Sequence, residues 1–341
     1  MTYSASNYVL VTGATGFIGA HIVDELLRRG LTVRAAARSQ SKANQMIADR
    51  PQHQGRLDFV FIDDLTRPGV FDSAVKDVDA VIHTASPVTF DAIDNENELM
   101  LPAIQGTKSM LDAIKKEPSV KRLVFTSSFA AVFDASRGDA PGLTYTSADW
   151  NPLTYDEGKQ GEPIIGYRVG KKYAELAAWD CIRDDHPHFD LVTFCPPMVF
   201  GPVVHPVPKV ADLNETNAIL WSVAAGKRPL PVSRVPCWID VRELALAHVE
   251  GLLRPEAGNR RYTIAAPDHF SYGRAAHIIR QEFGWAKEVV VEGDGGALPD
   301  AFYVDGETAS KEFRIKYRSF EETVVDAISQ FKDIQSREQQ S

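Results

Sequence analysis

Short apolar runs rich in β-branched residues alternate along this chain with longer segments in which apolar positions recur every three or four residues. Repeated switching between a period of two and a period of about 3.6 predicts βαβ units around a parallel sheet. The strand-like runs are Tyr8–Thr12, Thr32–Ala37, Leu57–Ile62, Ala80–Thr84, Leu123–Ser127 and Leu191–Cys195. Several are almost unbroken hydrophobic stretches, as expected of strands covered by helices on both faces. Between the first two, Ile18, Ile22, Val23, Leu26 and Leu27 fall on one helical stripe, and Gly30 follows where a C-cap belongs.

The pattern changes after Pro196. Pro196, Pro197, Pro202, Pro206, Pro208, Pro229, Pro231 and Pro236 crowd one stretch, which predicts loops around a short helix near Asn214–Ala225. Beyond it, Val241–Leu253 and Tyr272–Phe283 read as helices with a strand at Arg261–Ala265 between them. We therefore expect a first domain over residues 1–200, a smaller lobe over 201–341, and a return to the main sheet near 237–266. The polar segment Asp333–Ser341 is expected to fray.

The chain's 341 residues are 44% hydrophobic and 24% charged, enough for a sizeable core. Acidic residues outnumber basic ones 46 to 37, and the net charge of −9 disfavours nucleic acid or an anionic membrane as partner. Cys181, Cys195 and Cys237 lack metal-ligand spacing, so no metal site is expected and a reducing compartment fits. Residues 1–8 lack the order of a signal peptide and no long apolar run exists, which reads as cytoplasmic without membrane association.

Candidate chemistry begins at the end of the first strand. Thr12 to Gly19 spell TGATGFIG, a GxxGxxG whose glycines tighten the turn and let backbone approach a pyrophosphate at a helix N-terminus. Gly13, Thr15, Gly16, Phe17, Ile18 and Gly19 would then border the dinucleotide. At the second strand's end an acidic residue would bind a ribose 2′-hydroxyl, whereas this chain has Arg38 followed by Lys42. Two cations there suit a 2′-phosphate and point to NADPH. Asp64, beside Leu65, is placed to accept from an adenine amino group, with turn duty as its rival reading. Thr84, Ala85 and Ser86 are small residues where backbone could pass the cofactor's ribose and phosphates, and His83 before them reads as structural.

Ser128 ends the fifth strand, and Tyr167 and Lys171 lie four apart on one helical face. Carbonyl reduction needs a hydride for carbon and a proton for oxygen. Tyr167 is the candidate proton donor, Lys171 the ribose ligand and charge neighbour, and Ser128 the hydrogen-bond donor to the carbonyl. A phenol titrates near ~10; an ammonium ~4 Å away at an effective dielectric of ~20 contributes up to ~4 kcal/mol, or ~3 pK units. That predicts a phenol brought close to neutrality.

Together these motifs resemble the extended short-chain dehydrogenase/reductases along nearly the whole chain, through TGATGFIG, the TSS of Thr126–Ser128 and the YRVGK of Tyr167–Lys171. HTASP at His83–Pro87, TSSFAAVF at Thr126–Phe133 and FGP at Phe200–Pro202 are similar to the dihydroflavonol-reductase-like branch, and within it to fungal NADPH-dependent aldehyde and ketone reductases of the methylglyoxal type. The resemblance implies an α/β fold, a Rossmann-type doubly wound parallel sheet with a smaller C-terminal α/β substrate lobe. It also implies catalysis by Ser128, Tyr167 and Lys171, a cofactor site that includes Thr126, Pro196 and Val199, and a 2′-phosphate facing Arg38 and Lys42. Gly170 departs from the serine the family often has before the lysine.

Val88, Phe90, Phe129, Phe133, Ile164, Met198 and Trp221 are expected to form an apolar wall, each with core packing as its rival role. No charged group is expected to clamp a carboxylate or phosphate. The function implied is reduction of small hydrophobic aldehydes and ketones to chiral alcohols by a monomer or homodimer. Alternatives are dihydroflavonol, cinnamoyl-thioester or 3β-hydroxysteroid chemistry, or a dinucleotide-sensing protein without catalysis.

Overall fold

The computed structural model describes residues 8–86, 92–292 and 297–340. In chain order its strands are β1 (Tyr8–Thr12), β2 (Thr32–Ala37), β3 (Leu57–Phe61), β4 (Ala80–His83), β5 (Arg122–Thr126), β6 (Thr144–Tyr145), β7 (Asp190–Cys195), β8 (Met198–Phe200), β9 (Trp238–Asp240), β10 (Arg260–Thr263) and β11 (Tyr303–Val304). Seven form one parallel sheet in the order β10-β7-β5-β4-β1-β2-β3. The chain leaves β1 in one direction to build β2 and β3 and in the other to build β4 onward. That reversal opens a crevice at the carboxyl ends of β1 and β4, where open α/β sheets bind ligands.

The helices are α1 (Phe17–Arg28), α2 (Gln40–Ala48), α3 (Leu101–Lys116), α4 (Tyr155–Gln160), α5 (Pro163–Asp185), α6 (Glu215–Ala224), α7 (Val241–Leu253), α8 (Tyr272–Glu282), α9 (Ala286–Val289), α10 (Glu307–Phe313) and α11 (Phe320–Glu338). A π-helical turn, Glu96–Met100, leads into α3. Side chains alternate across the sheet. Val9 and Val11 join the core that contains α1 and α7, whereas Leu10 joins the one that contains α3 and α5. This accounts for the unbroken apolar runs: both faces of β1 are covered.

Two expectations change. The C-terminal segment does not fray from Asp333, because α11 runs to Glu338. Val324, Ile328, Phe331 and Ile334 fall on one stripe and are buried, so packing holds a segment whose other face is polar. The strand expected at Arg261–Ala265 is β10, which begins one residue earlier and ends two earlier, and it joins the main sheet beside β7. Two small parallel pairs, β8 with β9 and β6 with β11, join segments outside the main sheet in a way the pattern does not predict.

Candidate active site

At the β1–α1 turn Gly13 adopts φ +67°, a conformation that favours glycine. A Cβ there would lie 2.6 Å from Thr84 Oγ1 and 3.0 Å from the backbone nitrogen of Ala85. A Cβ on Gly19 would strike the carbonyl oxygen of Gly13. The turn is closed by Gly16 N–H donating to Gly13 O at 2.9 Å, and no side chain caps α1, so its first-turn N–H groups keep their capacity for an anion. Thr15 and Ile18 are partly buried and Phe17 is buried on this cradle. Gly19→Ala is expected to weaken dinucleotide binding by about tenfold or more, since overpacking costs about 1–3 kcal/mol; cofactor fluorescence titration measures it.

The β1 and β4 ends are bonded together. Thr84 Oγ1 donates to Thr12 O at 2.6 Å, and Ala85 N–H donates to Thr12 Oγ1 at 3.2 Å. The Thr12 hydroxyl in turn meets His83 Nδ1 at 2.8 Å. Burial and the Lys171 charge push His83 down to about 3, so it is a neutral structural histidine. Ser86 is partly buried beside them. Arg38 and Lys42 are exposed just past β2, and no described carboxylate pairs with either. Asp64 Oδ1 accepts from Thr66 N–H at 2.9 Å and its hydroxyl at 2.7 Å, so this carboxylate serves a turn. Leu65 is half-buried and would touch a Cβ on Gly106.

The three residues expected to carry catalysis converge. Tyr167 Oη donates to Ser128 Oγ at 3.5 Å, and Lys171 Nζ lies 5.9 Å from the Tyr167 ring centroid. Burial holds the phenol above its ordinary value, opposed by the Ser128 hydrogen bond. The expectation of a phenol near neutrality therefore does not hold here, because desolvation outweighs the stabilisation of the phenolate. Burial also pulls Lys171 down to about 8, against the pull of Glu175. Gly170 has a packing reason: a Cβ there would come within 3.3 Å of Met100 Cα, so the glycine lets α5 approach the π-helical turn.

Several residues that hold this arrangement carry no motif. Glu175, fully buried one turn beyond Lys171, accepts from Ser127 Oγ at 2.6 Å, Thr193 Oγ1 at 3.0 Å and Arg261 Nε at 2.8 Å. One carboxylate thus ties the helix of Tyr167 to β5, β7 and β10. Asn151 Nδ2 donates to Ala130 O at 2.7 Å and Arg168 O at 3.2 Å, joining the turn after Ser128 to α5. Thr126 faces inward, its hydroxyl 2.7 Å from His248 Nε2, while His248 Nδ1 donates to Leu244 O at 2.8 Å. Buried Pro196 accepts from Phe129 N–H at 2.8 Å, and buried Val199 accepts from Thr216 Oγ1. The spacing of Glu175 from Lys171 is a legible signal; that of Arg261, 86 residues on, is not.

Residues 10–160 match the 3-beta hydroxysteroid dehydrogenase/isomerase family. The ketoreductase azaE of Aspergillus niger is 35% identical over 337 residues, covering 96% of this chain and 98% of that one. The NADPH-dependent methylglyoxal reductase GRE2 of Saccharomyces cerevisiae is 33% identical, covering 96% and 99%. The chain belongs to the extended short-chain dehydrogenase/reductase family, in the branch of these fungal reductases. A crystal structure of yeast methylglyoxal/isovaleraldehyde reductase Gre2 complexed with NADPH superposes with a TM-score of 0.88 at 31% identity, covering 97% of this chain and 99% of that one.

In this reductase family member the expected substrate wall is divided. Val88 and Phe90 lie outside the described residues. Phe129 and Phe133 stack at 5.6 Å in a buried aromatic cluster with Tyr145 and Phe302. Trp221 is buried edge-on to Phe331. Core packing accounts for these three, whereas Ile164 and Met198 remain partly exposed. One charged group lies beside this cluster: the Arg168 guanidinium sits 5.0 Å from the Phe133 ring centroid.

Proposed function

We propose that the chain is an NADPH-dependent carbonyl reductase that converts aldehydes and ketones to alcohols. The observation that carries this reading is the contact of Tyr167 Oη with Ser128 Oγ, one helical turn from the Lys171 ammonium. The chain's residues fit the dinucleotide: the Gly13 and Gly19 cradle has no room for a Cβ, α1 has no side-chain cap, and Arg38 and Lys42, which have no ion-pair partner among the described residues, are cations where a 2′-phosphate would lie. When bound, NADPH supplies the hydride.

Tyr167 supplies the proton. An alkoxide forming at the substrate oxygen is a far stronger base than a phenolate, so the phenol needs to be protonated beforehand, and burial keeps it so. Ser128 shares the negative charge that develops on the oxygen through its own hydroxyl. Lys171 stabilises the phenolate left behind and is placed to hold the nicotinamide ribose.

NADPH oxidation against a panel of aryl ketones, keto esters and dicarbonyls tests the proposal; turnover is expected on several, and none on any member would overturn it. Arg38→Leu is expected to raise the Kd for NADPH about tenfold to a hundredfold while changing that for NADH little, since a charged hydrogen bond contributes about 1.5–3 kcal/mol. Equal losses for the two nucleotides would contradict the assignment of Arg38.

A further inference from the structure

Arg168 is the residue after Tyr167 on α5, and only 8% of its surface is exposed. Its guanidinium lies over the face of Phe133, and it makes no hydrogen bond and no ion pair with any described residue. The side chain is mostly buried while its guanidinium nitrogens are not sealed from solvent, so the charge, which the face of one phenylalanine compensates little, can be met by a group from outside the chain. Among the described residues no carboxylate forms an ion pair with it. Instead a second cation approaches. Val235 packs against the cluster of Phe129 and Phe133, which brings the neighbouring Arg234 to the same place, and the Arg234 charge acts on Arg168. Burial first, and then this like charge, lower the affinity of Arg168 for its proton.

The position relates this pair to the chemistry. Arg168 shares α5 with Tyr167, and Phe133 stacks on Phe129, the residue that follows Ser128. Arg168 and the proton-delivering residues therefore stand on the same two neighbouring segments, with Arg234 reaching them from the loop before β9. Asn151 fixes their separation by bonding both the backbone of Arg168 and the turn after Ser128.

We propose that Arg168, supported by Arg234, binds an oxyanion carried by the substrate, so that the preferred carbonyl compounds are acids: oxo carboxylates or phosphorylated ketones. This rests on the carbonyl-reductase reading and narrows its substrate class. A guanidinium meets either group through two parallel donors, and the anion supplies the charge that Arg168 lacks among the described residues.

The test compares kcat/KM of the intact enzyme with NADPH for 2-oxo, 3-oxo and 4-oxo carboxylates against their ethyl esters, and for dihydroxyacetone phosphate against dihydroxyacetone. At one chain length at least, the acid is expected to exceed its ester. In Arg168→Met the acid-to-ester ratio is expected to fall about tenfold to a hundredfold, the range for a charged hydrogen bond. Arg234→Met, on an exposed loop residue that does not threaten folding, lowers the same ratio by less. The phosphate arm tells which oxyanion is preferred.

Binding gives a second readout without turnover: a hydroxy acid with NADP+ raises the melting temperature of the wild type and not of Arg168→Met. An acid-to-ester ratio unchanged in both variants, or a loss of NADP+ affinity in Arg168→Met equal to its loss of acid, would overturn the proposal. Turnover of esters without preference for acids would leave the reductase reading intact and sink this one. Failure on every carbonyl compound would sink the reductase reading itself, while the melting shift would still report on the anion site.

Discussion

Tyr167→Phe is expected to lower kcat by about 10²–10⁴-fold, the usual contribution of a positioned acid, while the Kd for NADPH stays within about twofold. The substitution removes one oxygen. The ring remains packed, so the helix, the Lys171 ammonium and the glycine cradle keep their places. Steady-state kinetics with a ketone and a separate fluorescence titration with NADPH distinguish the two effects. A matching loss of cofactor affinity would mean that Tyr167 holds the dinucleotide rather than delivering the proton. The raised phenol has a consequence for direction: reduction uses the protonated form that burial favours, whereas alcohol oxidation needs the phenolate that burial opposes. Oxidation should therefore gain more than reduction as the pH rises from neutrality.

Glu175→Ala is expected to destabilise the protein by about 3–5 kcal/mol, the range for removing one partner of a buried ion pair. Arg261, whose side chain is only 8% exposed, would keep its charge with no carboxylate opposite, and Ser127 and Thr193 would lose their acceptor. Urea unfolding measures the loss. Glu175→Gln keeps the shape and tests the electrostatic part. Lys171 titrates at about 8 because burial lowers it while Glu175 holds it up. The ammonium is present below that value and lost above it. Removing the Glu175 charge moves the loss to lower pH, so the alkaline limb of kcat/KM should begin earlier in Glu175→Gln. An unchanged limb would confine Glu175 to holding α5 against the sheet.

The parts of the fold legible in the sequence are those in which local pattern and burial agree. β1 and β2 have the ends expected of them, because most of their positions are buried and apolar, and Gly13 and Arg38 stop the runs abruptly. Tyr167 and Lys171 are legible because a helix places residues four apart on one face. The C-terminal helix is not, because its stabilisation comes from Phe331 and Ile334 packing on a distant core, while the surrounding polar residues read as a tail. Arg261 and Asn151 are invisible for the same reason: each is an ordinary polar residue until the sheet brings it beside α5. The phenol's proton affinity also depends on the fold. Spacing predicts a nearby ammonium, but burial, which opposes the charged form, is a property of the folded chain.

The measurement closest to the central claim is a crystal structure of the protein with NADP+ and the alcohol product. The alcohol oxygen is expected within hydrogen-bond distance, about 2.6–3.2 Å, of both Tyr167 Oη and Ser128 Oγ, with its carbon against the nicotinamide. An alcohol oxygen bonded to neither hydroxyl, with Tyr167 turned away from the ring, would contradict the account.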